Sequence, residues 1–377
     1  MVEFTTATGF DELELRLFKE STRLLTAELR TPDGVRFAGR LHADVLKKLN
    51  DLPDVRHYGQ ELGRWLFQGE IGSAFLRFSE LVAHPSRSVD PKLGLRIRLW
   101  LDPDAPELQR VRWEAIAHPG SGEPLSTGAA FSRLMRTGAP QYLFNLERSP
   151  RMLVVAANPE GFEPFYTGEI VDIWHKTVAS GRSRFIERLE LEEARDGSTL
   201  EQLERAGEQD YRIVHLMARS EREGKSTIMI LADAHGKAER VPVERVTEAM
   251  TRIAFHLPSL VFISAPQPPA EEQAPMEQYL GPGLLNRGAQ AVVTIEAPMN
   301  PIALNEFSFT FYRVLSATGV VDEAVARARA RVFATGEWDW TAPVLFTSAQ
   351  ENIQVFQQIG DIALQGTVMG VNISKGV

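Results

Sequence analysis

The spacing of apolar residues changes along this chain, and each change marks a new kind of element. Leu13, Leu17, Ser21 and Leu24 recur at helical spacing, and the same period runs from Tyr58 to Phe67 and from Ala74 to Val82. Leu93 to Leu101 alternates apolar and basic residues with period two, which predicts a strand ended by Asp102, Pro103 and Asp104. Residues 107–118 predict a short helix carrying Trp113, residues 119–124 a loop, and 131–136 a helix or a strand. Beyond residue 150 the pattern becomes runs: Arg151–Ala157, Tyr211–Leu216 and Leu260–Ser264 are almost unbroken apolar stretches, the mark of strands covered on both faces. Between them fall a helix around 167–179, a strand near Ser183–Leu189, and a helix opened by Ser198 and Thr199 with Glu201 in its first turn. Thr227–Leu231 predicts a hairpin-like strand and Val243–Ala254 a helix. Prolines crowd residues 266–275 and force an extended loop. A helix then ends at Gly288, a fourth apolar strand runs to Ile295, helices occupy 301–316 and 320–334, and Ala342–Phe346 is a last short strand.

Alternating strands and helices predict an α/β protein with a mostly parallel central sheet flanked by helices, preceded by an α+β N-terminal region. The pattern divides the chain into residues 1–148, a junction at Arg148 to Pro150, residues 149–348, and a tail of residues 349–377. In the tail Ile362, Leu364, Val368, Val371 and Ile373 are punctuated by Gly360, Gly366, Gly370 and Gly376, which predicts short strands. A lone hairpin is marginal in water, so the tail is expected to pair with a sheet edge, a partner protein or another copy, giving a homo-oligomer through residues 350–377.

Composition narrows the chemistry. At 377 residues, 44% hydrophobic and 24% charged, the chain has room for two packed domains and is neither disordered nor fibrous. It lacks an apolar run of the ~18 residues that span a bilayer, and acids stand where a signal peptide would carry basic residues, so the expected setting is the cytoplasm with no membrane. A formal net charge of -9 argues against nucleic acid as a partner. With no cysteine, disulfides, thiolate metal sites and thiol nucleophiles are all excluded. The 8 histidines lack metal-ligand spacing, so neither a metal nor a cofactor is expected. Gly281-Pro282-Gly283 and Gly224-Lys225-Ser226 miss the phosphate-loop spacing and read as turns. Trp113, Trp338 and Trp340 read as core anchors, and Arg327, Arg329 and Arg331, alternating with alanine, read as a solvated or ion-paired helix face.

Taken together, the residues resemble the bacterial CHAT domains, a caspase-like family related to caspases and separase. The resemblance rests on Val111-Arg112-Trp113-Glu114, Ser132-Arg133, the strand Leu153–Ala157 leading into Asn158-Pro159, the strands Tyr211–His215 and Leu260–Ala265, and Leu285–Val293. Phe307–Tyr312, Val321–Ala326, Ala328-Arg329 and Asp339–Phe346 continue it in order. It implies a caspase-like three-layer fold, with residues 149–348 as the CHAT domain and 1–148 as a CHAT-associated region that may be compared with half a caspase.

The chain departs from that pattern where the family's chemistry sits. Active members carry a second histidine as base after the histidine strand and a cysteine nucleophile after the next strand. Here Arg219 and Pro266 hold those positions. A guanidinium does not accept a proton at neutral pH, and proline has no nucleophile, so the resemblance implies a pseudo-peptidase with no catalytic residue. His215, Ser264 and Gln267 are expected to line the old cleft. Two readings of His215 and Ser264 stand open, a displaced serine–histidine hydrolase pair or a core histidine beside a tolerated serine. Arg219 either receives a carboxylate of a partner or peptide or pairs internally with Glu221 or Glu223. The function is then expected to be binding, as an adaptor, regulator or scaffold for protein partners such as an active protease or effector, in a bacterial conflict or antiphage setting; the alternatives are the displaced hydrolase and a tail-driven assembly component.

Overall fold

The apolar runs lie side by side in a single sheet. The computed structural model describes residues 10–49, 52, 54–83, 94–135, 137, 151–165, 168, 171–172, 190–193, 197–209, 211–223, 226–251, 258–266, 280–335 and 338–348. The tail 349–377, the expected strand Ser183–Leu189 and most of the expected helix 167–179 lie outside the described residues. The first half runs β1 (Phe10–Lys19), β2 (Leu24–Arg30), β3 (Arg36–His42), α1 (Asp44–Leu49), α2 (Val55–Leu66), α3 (Gly69–Ala83), β4 (Gly94–Leu101), α4 (Pro106–Gln109), α5 (Leu125–Gly128) and β5 (Ala130–Leu134). The second runs β6 (Arg151–Ala156), β7 (Glu190–Glu193), α6 (Thr199–Glu208), β8 (Ile213–Met217), β9 (Arg219–Glu223), β10 (Ser226–Ala232), β11 (Ala238–Pro242), α7 (Val243–Thr251), β12 (Leu260–Pro266), α8 (Leu280–Asn286), β13 (Ala291–Ile295), α9 (Pro301–Thr318), α10 (Val321–Ala334) and β14 (Pro343–Thr347).

Among the described residues, 11 strands form one sheet in the order β3-β2-β1-β4-β5-β14-β13-β12-β8-β6-β7, and β9, β10 and β11 form a separate antiparallel sheet. The large sheet is parallel at every joint except β1–β2, β2–β3 and β13–β14. Residue 148 therefore falls between strands of one continuous ladder.

The two faces of the second half explain its unbroken apolar runs. Ile213, Leu260, Phe262, Ala291 and Val293 pack with α9 and α10, while Val214, Leu216, Val261, Ile263 and Val292 pack with α6, α7 and α8. Helix α6 begins at the expected place, where the Ser198 side chain accepts from the Glu201 N–H and the Glu201 carboxylate accepts from the Ser198 N–H.

The first half corrects one expectation. The helix suggested by Leu13, Leu17, Ser21 and Leu24 is instead the hairpin of β1 and β2. Leu13 and Leu17 satisfy a period of four and a period of two alike; the deciding positions are Leu15, which is buried with them, and the charged residues Glu12, Glu14 and Arg16 between. The expected helix over 107–118 is likewise divided, into α4 and a 3-10 turn at Trp113–Ala115. The Gly281-Pro282-Gly283 stretch is the buried first turn of α8 and not a turn between elements.

A second correction concerns the arginines of α10. Arg327 and Arg331 lie at the surface beside Glu323 and Glu306, as expected of a solvated face. Arg329 does not: it is 0% exposed. Its Nε and Nη2 donate to the Pro343 carbonyl at 3.1 and 2.7 Å, and its Nη1 donates to the Phe131 carbonyl at 3.2 Å. Burial, with a lesser contribution from the Arg133 charge, pulls its pKa down to about 10, which still leaves it charged at neutral pH. Those two carbonyls belong to β14 and β5, strands whose ladder pairs only Phe346 with Arg133 and Thr347 with Leu134. The guanidinium thus supplies donors where the backbone ladder is missing. On the same joint Arg133 forms a buried bidentate pair with Glu114, at 3.0 and 2.6 Å, and Asp322 at the start of α10 holds Arg96 of β4 at 2.5 and 3.1 Å.

Replacing Arg329 by Met keeps the length and removes the donors, leaving buried carbonyls short of partners at ~1–3 kcal/mol each. In urea denaturation followed by tryptophan fluorescence, Arg329→Met is expected to lose ~2 kcal/mol or more, whereas Arg331→Met, at an exposed pair, stays within ~0.5 kcal/mol. Equal stability of the two variants would refute the role given to Arg329.

Candidate functional site

In open parallel sheets ligands bind in the crevice outside the carboxyl ends of the strands, and β6 and β8 end level with each other here while β12 runs on to Pro266. The register sets Val154 beside His215 and His215 beside Phe262, and two pairs further on sets Ala156 beside Met217 and Met217 beside Ser264. Pro266 closes β12: the ladder with β13 is regular to Ile263 and then slips, so that Pro266 lies opposite Ile295. A residue without an N–H is tolerated at such a strand end. Gln267 and the side chain of Pro266 lie outside what is described.

His215 and Ser264 meet, though below the crevice. Ser264 Oγ is 2.6 Å from His215 Nε2, and the hydroxyl of Tyr312 on α9 is 2.7 Å from His215 Nδ1. The imidazole stacks on Phe262 with ring centroids 4.5 Å apart, and Phe262 in turn meets Phe311 edge-on at 5.4 Å. His215 is 0% and Ser264 2% exposed. Desolvation carries the His215 pKa down to about 3 and drives that of Tyr312 well above its ordinary range, so both are neutral at physiological pH. A neutral imidazole has one donor and one acceptor nitrogen, and both are used by the two hydroxyls. Such a base is far below the pKa at which general-base catalysis works near pH 7, and the pair has no exposed edge toward a substrate. The arrangement satisfies a buried histidine. Tyr312, which lies in the Phe307–Tyr312 stretch, was not singled out in the sequence as a partner, because 97 residues separate it from His215.

Arg219 opens β9, where the chain leaves the large sheet. Its guanidinium lies over the rings of Phe165 at 4.4 Å and Phe162 at 5.5 Å, and its Nη2 donates to the Glu163 carbonyl. The acids expected to pair with it are held by Arg240, which bonds Glu221 and lies 3.6 Å from Glu223. The 158–165 segment that receives Arg219 is itself fixed. Asn158 Nδ2 donates to the Phe165 carbonyl at 3.0 Å, Asn158 Oδ1 accepts from the Phe165 N–H at 2.6 Å, and the Glu160 N–H donates to the Gly236 carbonyl at 2.7 Å.

The remaining candidates fall elsewhere. Trp113 and Trp340 are buried in the core, and the Trp113 indole donates to the Leu108 carbonyl at 2.7 Å. Ser226 begins β10 opposite Glu223, while Gly224 and Lys225 lie outside the described residues. Among the described residues no group of His, Asp and Glu is arranged to hold a metal ion, and no helix is long and apolar enough to cross a membrane.

The model of the CHAT domain family matches residues 56–354, from the first turn of α2 to just past β14. Two crystal structures of the Saccharomyces cerevisiae separase–securin complex resemble the fold at 11% and 10% identity with TM-scores of 0.44 and 0.46. In both, 91% of this chain is covered and it spans 30% of the matched chain. The Arg-specific cysteine proteinase gingipain R resembles it at 7% identity and a TM-score of 0.44, over 74% of this chain and 68% of the proteinase. No curated protein sequence matches the chain.

The buried histidine makes a pH signature. Its folded pKa, about 3, lies below the 6.5 of an unperturbed histidine, so its contribution is complete above pH 6.5 and is lost as pH falls toward 3. The loss is ~1.4 kcal/mol per pH unit. Between pH 7 and pH 5 the wild type is expected to lose roughly 2 kcal/mol more than His215→Asn in urea denaturation. Parallel losses would mean that His215 titrates as an exposed histidine does.

Proposed function

The chain belongs to the CHAT domain family, and from that premise we propose that it keeps the peptidase-like fold without peptidase chemistry and works by binding protein partners, as an adaptor, regulator or scaffold. The observation that carries this reading is Arg219. On the family resemblance it stands where active members place their base; it cannot accept a proton at neutral pH, and it is tied to the Glu163 carbonyl and lies over the Phe165 ring. The missing nucleophile supports it: Pro266 holds that position and the chain contains no cysteine at all. The setting in a bacterial conflict or antiphage system rests on the family resemblance alone, as does the choice of an active protease or effector as partner.

A displaced hydrolase built on Ser264 and His215 is the competing reading, favoured by their 2.6 Å contact and opposed by the burial of both side chains. Degenerate fluorogenic peptide pools decide between the two. The purified chain is expected to release no fluorophore above buffer and to leave cysteine-directed covalent probes unreacted. Pro266→Cys alone is expected to stay inactive, because Arg219 still offers no base. Turnover that vanishes in Ser264→Ala would establish the displaced hydrolase instead.

A further inference from the structure

Arg219 has one bonding position unspent. Its Nη2 donates to the Glu163 carbonyl, and the guanidinium lies over the rings of Phe165 and Phe162. Nη1 is enclosed by protein atoms and has no hydrogen-bond partner. A guanidinium nitrogen removed from water without an acceptor is costly to maintain, more so than a neutral group. Arg219 follows directly on the carboxyl end of β8, the side of an α/β sheet where ligands bind. Phe162, whose ring centre is 5.5 Å from the guanidinium carbon, is 40% exposed, one of the few large apolar side chains at the surface among the described residues.

The geometry selects a class of ligand. The N–H donors of a guanidinium point outward in its plane, and a planar carboxylate fits an in-plane approach to a guanidinium edge. The flanking rings lower the local dielectric and so strengthen the contact. The acids nearest in sequence do not compete for the position, since Glu221 and Glu223 are taken up by Arg240. The overall charge of -9 opposes an acidic ligand only weakly, because charges more than ~10 Å apart are largely screened at physiological salt.

We propose that Arg219 is a carboxylate receptor: it binds an aspartate or glutamate side chain, or a C-terminal carboxylate, of a peptide lying across the carboxyl ends of β8 and β12, with the Phe162 ring displaced to admit it. The site deepens the binding reading given above and rests on it. On the family resemblance, the residue at the base position then holds a partner's acid where a base would have accepted a proton.

The test uses the full chain and fluorescein-labelled degenerate hexapeptide pools read by fluorescence anisotropy. The pools differ in one fixed central residue, Asp or Asn, and in a free or amidated C-terminus. At least tenfold tighter binding of the Asp pool over the Asn pool is expected, or of the free over the amidated terminus; which of the two appears identifies the source of the carboxylate. Arg219→Gln, shown by thermal unfolding to be folded, is expected to abolish the preference, and Arg219→Lys to reduce it because an ammonium lacks the planar fork. Equal binding of all pools, no binding of any, or a preference that survives Arg219→Gln overturns the carboxylate site and leaves the non-catalytic reading intact. Cleavage of the pools overturns the non-catalytic reading while a retained, Arg219-dependent preference leaves the carboxylate site standing.

Discussion

The insertion of β14 between β5 and β13 is the constraint that makes this molecule a single body. Without it the sheet is two sheets, β3-β2-β1-β4-β5 and β13-β12-β8-β6-β7, each with an open edge. The joint is short on one side, with paired residues only at Phe346 and Thr347, and a short parallel ladder is weak. Side chains complete it. Arg329 reaches into the gap from α10 to bond a carbonyl on each strand, and Phe346 lies beneath the Arg133 guanidinium at 5.6 Å while Arg133 is clamped by Glu114. Helix α10 is also pinned at its first turn through Asp322 to Arg96, so its two ionic contacts span β4, β5 and β14. A buried charge is a liability unless its partners are all present, and each of these has them.

Several of the residues that carry the family resemblance are therefore joint residues. Glu114, Arg133, Arg329 and Phe346 lie at the β5–β14 seam, Trp340 in the turn leading to it, and Tyr312 caps the buried histidine. They hold strands together. This separates two requirements that are easily confused. The fold needs the seam, whereas peptidase chemistry needs groups at the carboxyl ends of β8 and β12, so the second can be given up while the first is kept. Pro266 even suits its place, where the ladder slips and an N–H is not required.

How much of this was legible in the sequence depended on distance along the chain. The central strands showed themselves through apolar runs, and α6 through Ser198 and Glu201, because burial on two faces and a capping box are local signatures. The first hairpin was ambiguous because Leu13 and Leu17 fit both periods. Arg329 was misread for a different reason: arginine alternating with alanine looks like a wet helix face, and its acceptors are 14 and 198 residues away. The Ser264–His215–Tyr312 chain and the Glu163 carbonyl on Arg219 are of the same kind, tertiary partners that no spacing announces. What the sequence settled about the site was negative, since the absence of a thiol is a matter of composition and needs no geometry.

The place of β14 in the chain has a consequence for biosynthesis. A ribosome delivers β1 to β5 first and β6 to β13 next, and the strand that joins them comes after both, behind α9 and α10. Until it emerges, the nascent protein carries two unsatisfied edges, at β5 and β13, each rich in buried-type apolar residues and each able to pair with the wrong strand. The last long-range pairing closes both at once, and it closes a loop running from β5 to β14, so the slowest entropic step is also the protective one. The interval between synthesis of Ile295 and of Thr347 is thus the window in which both edges stand open to wrong pairing.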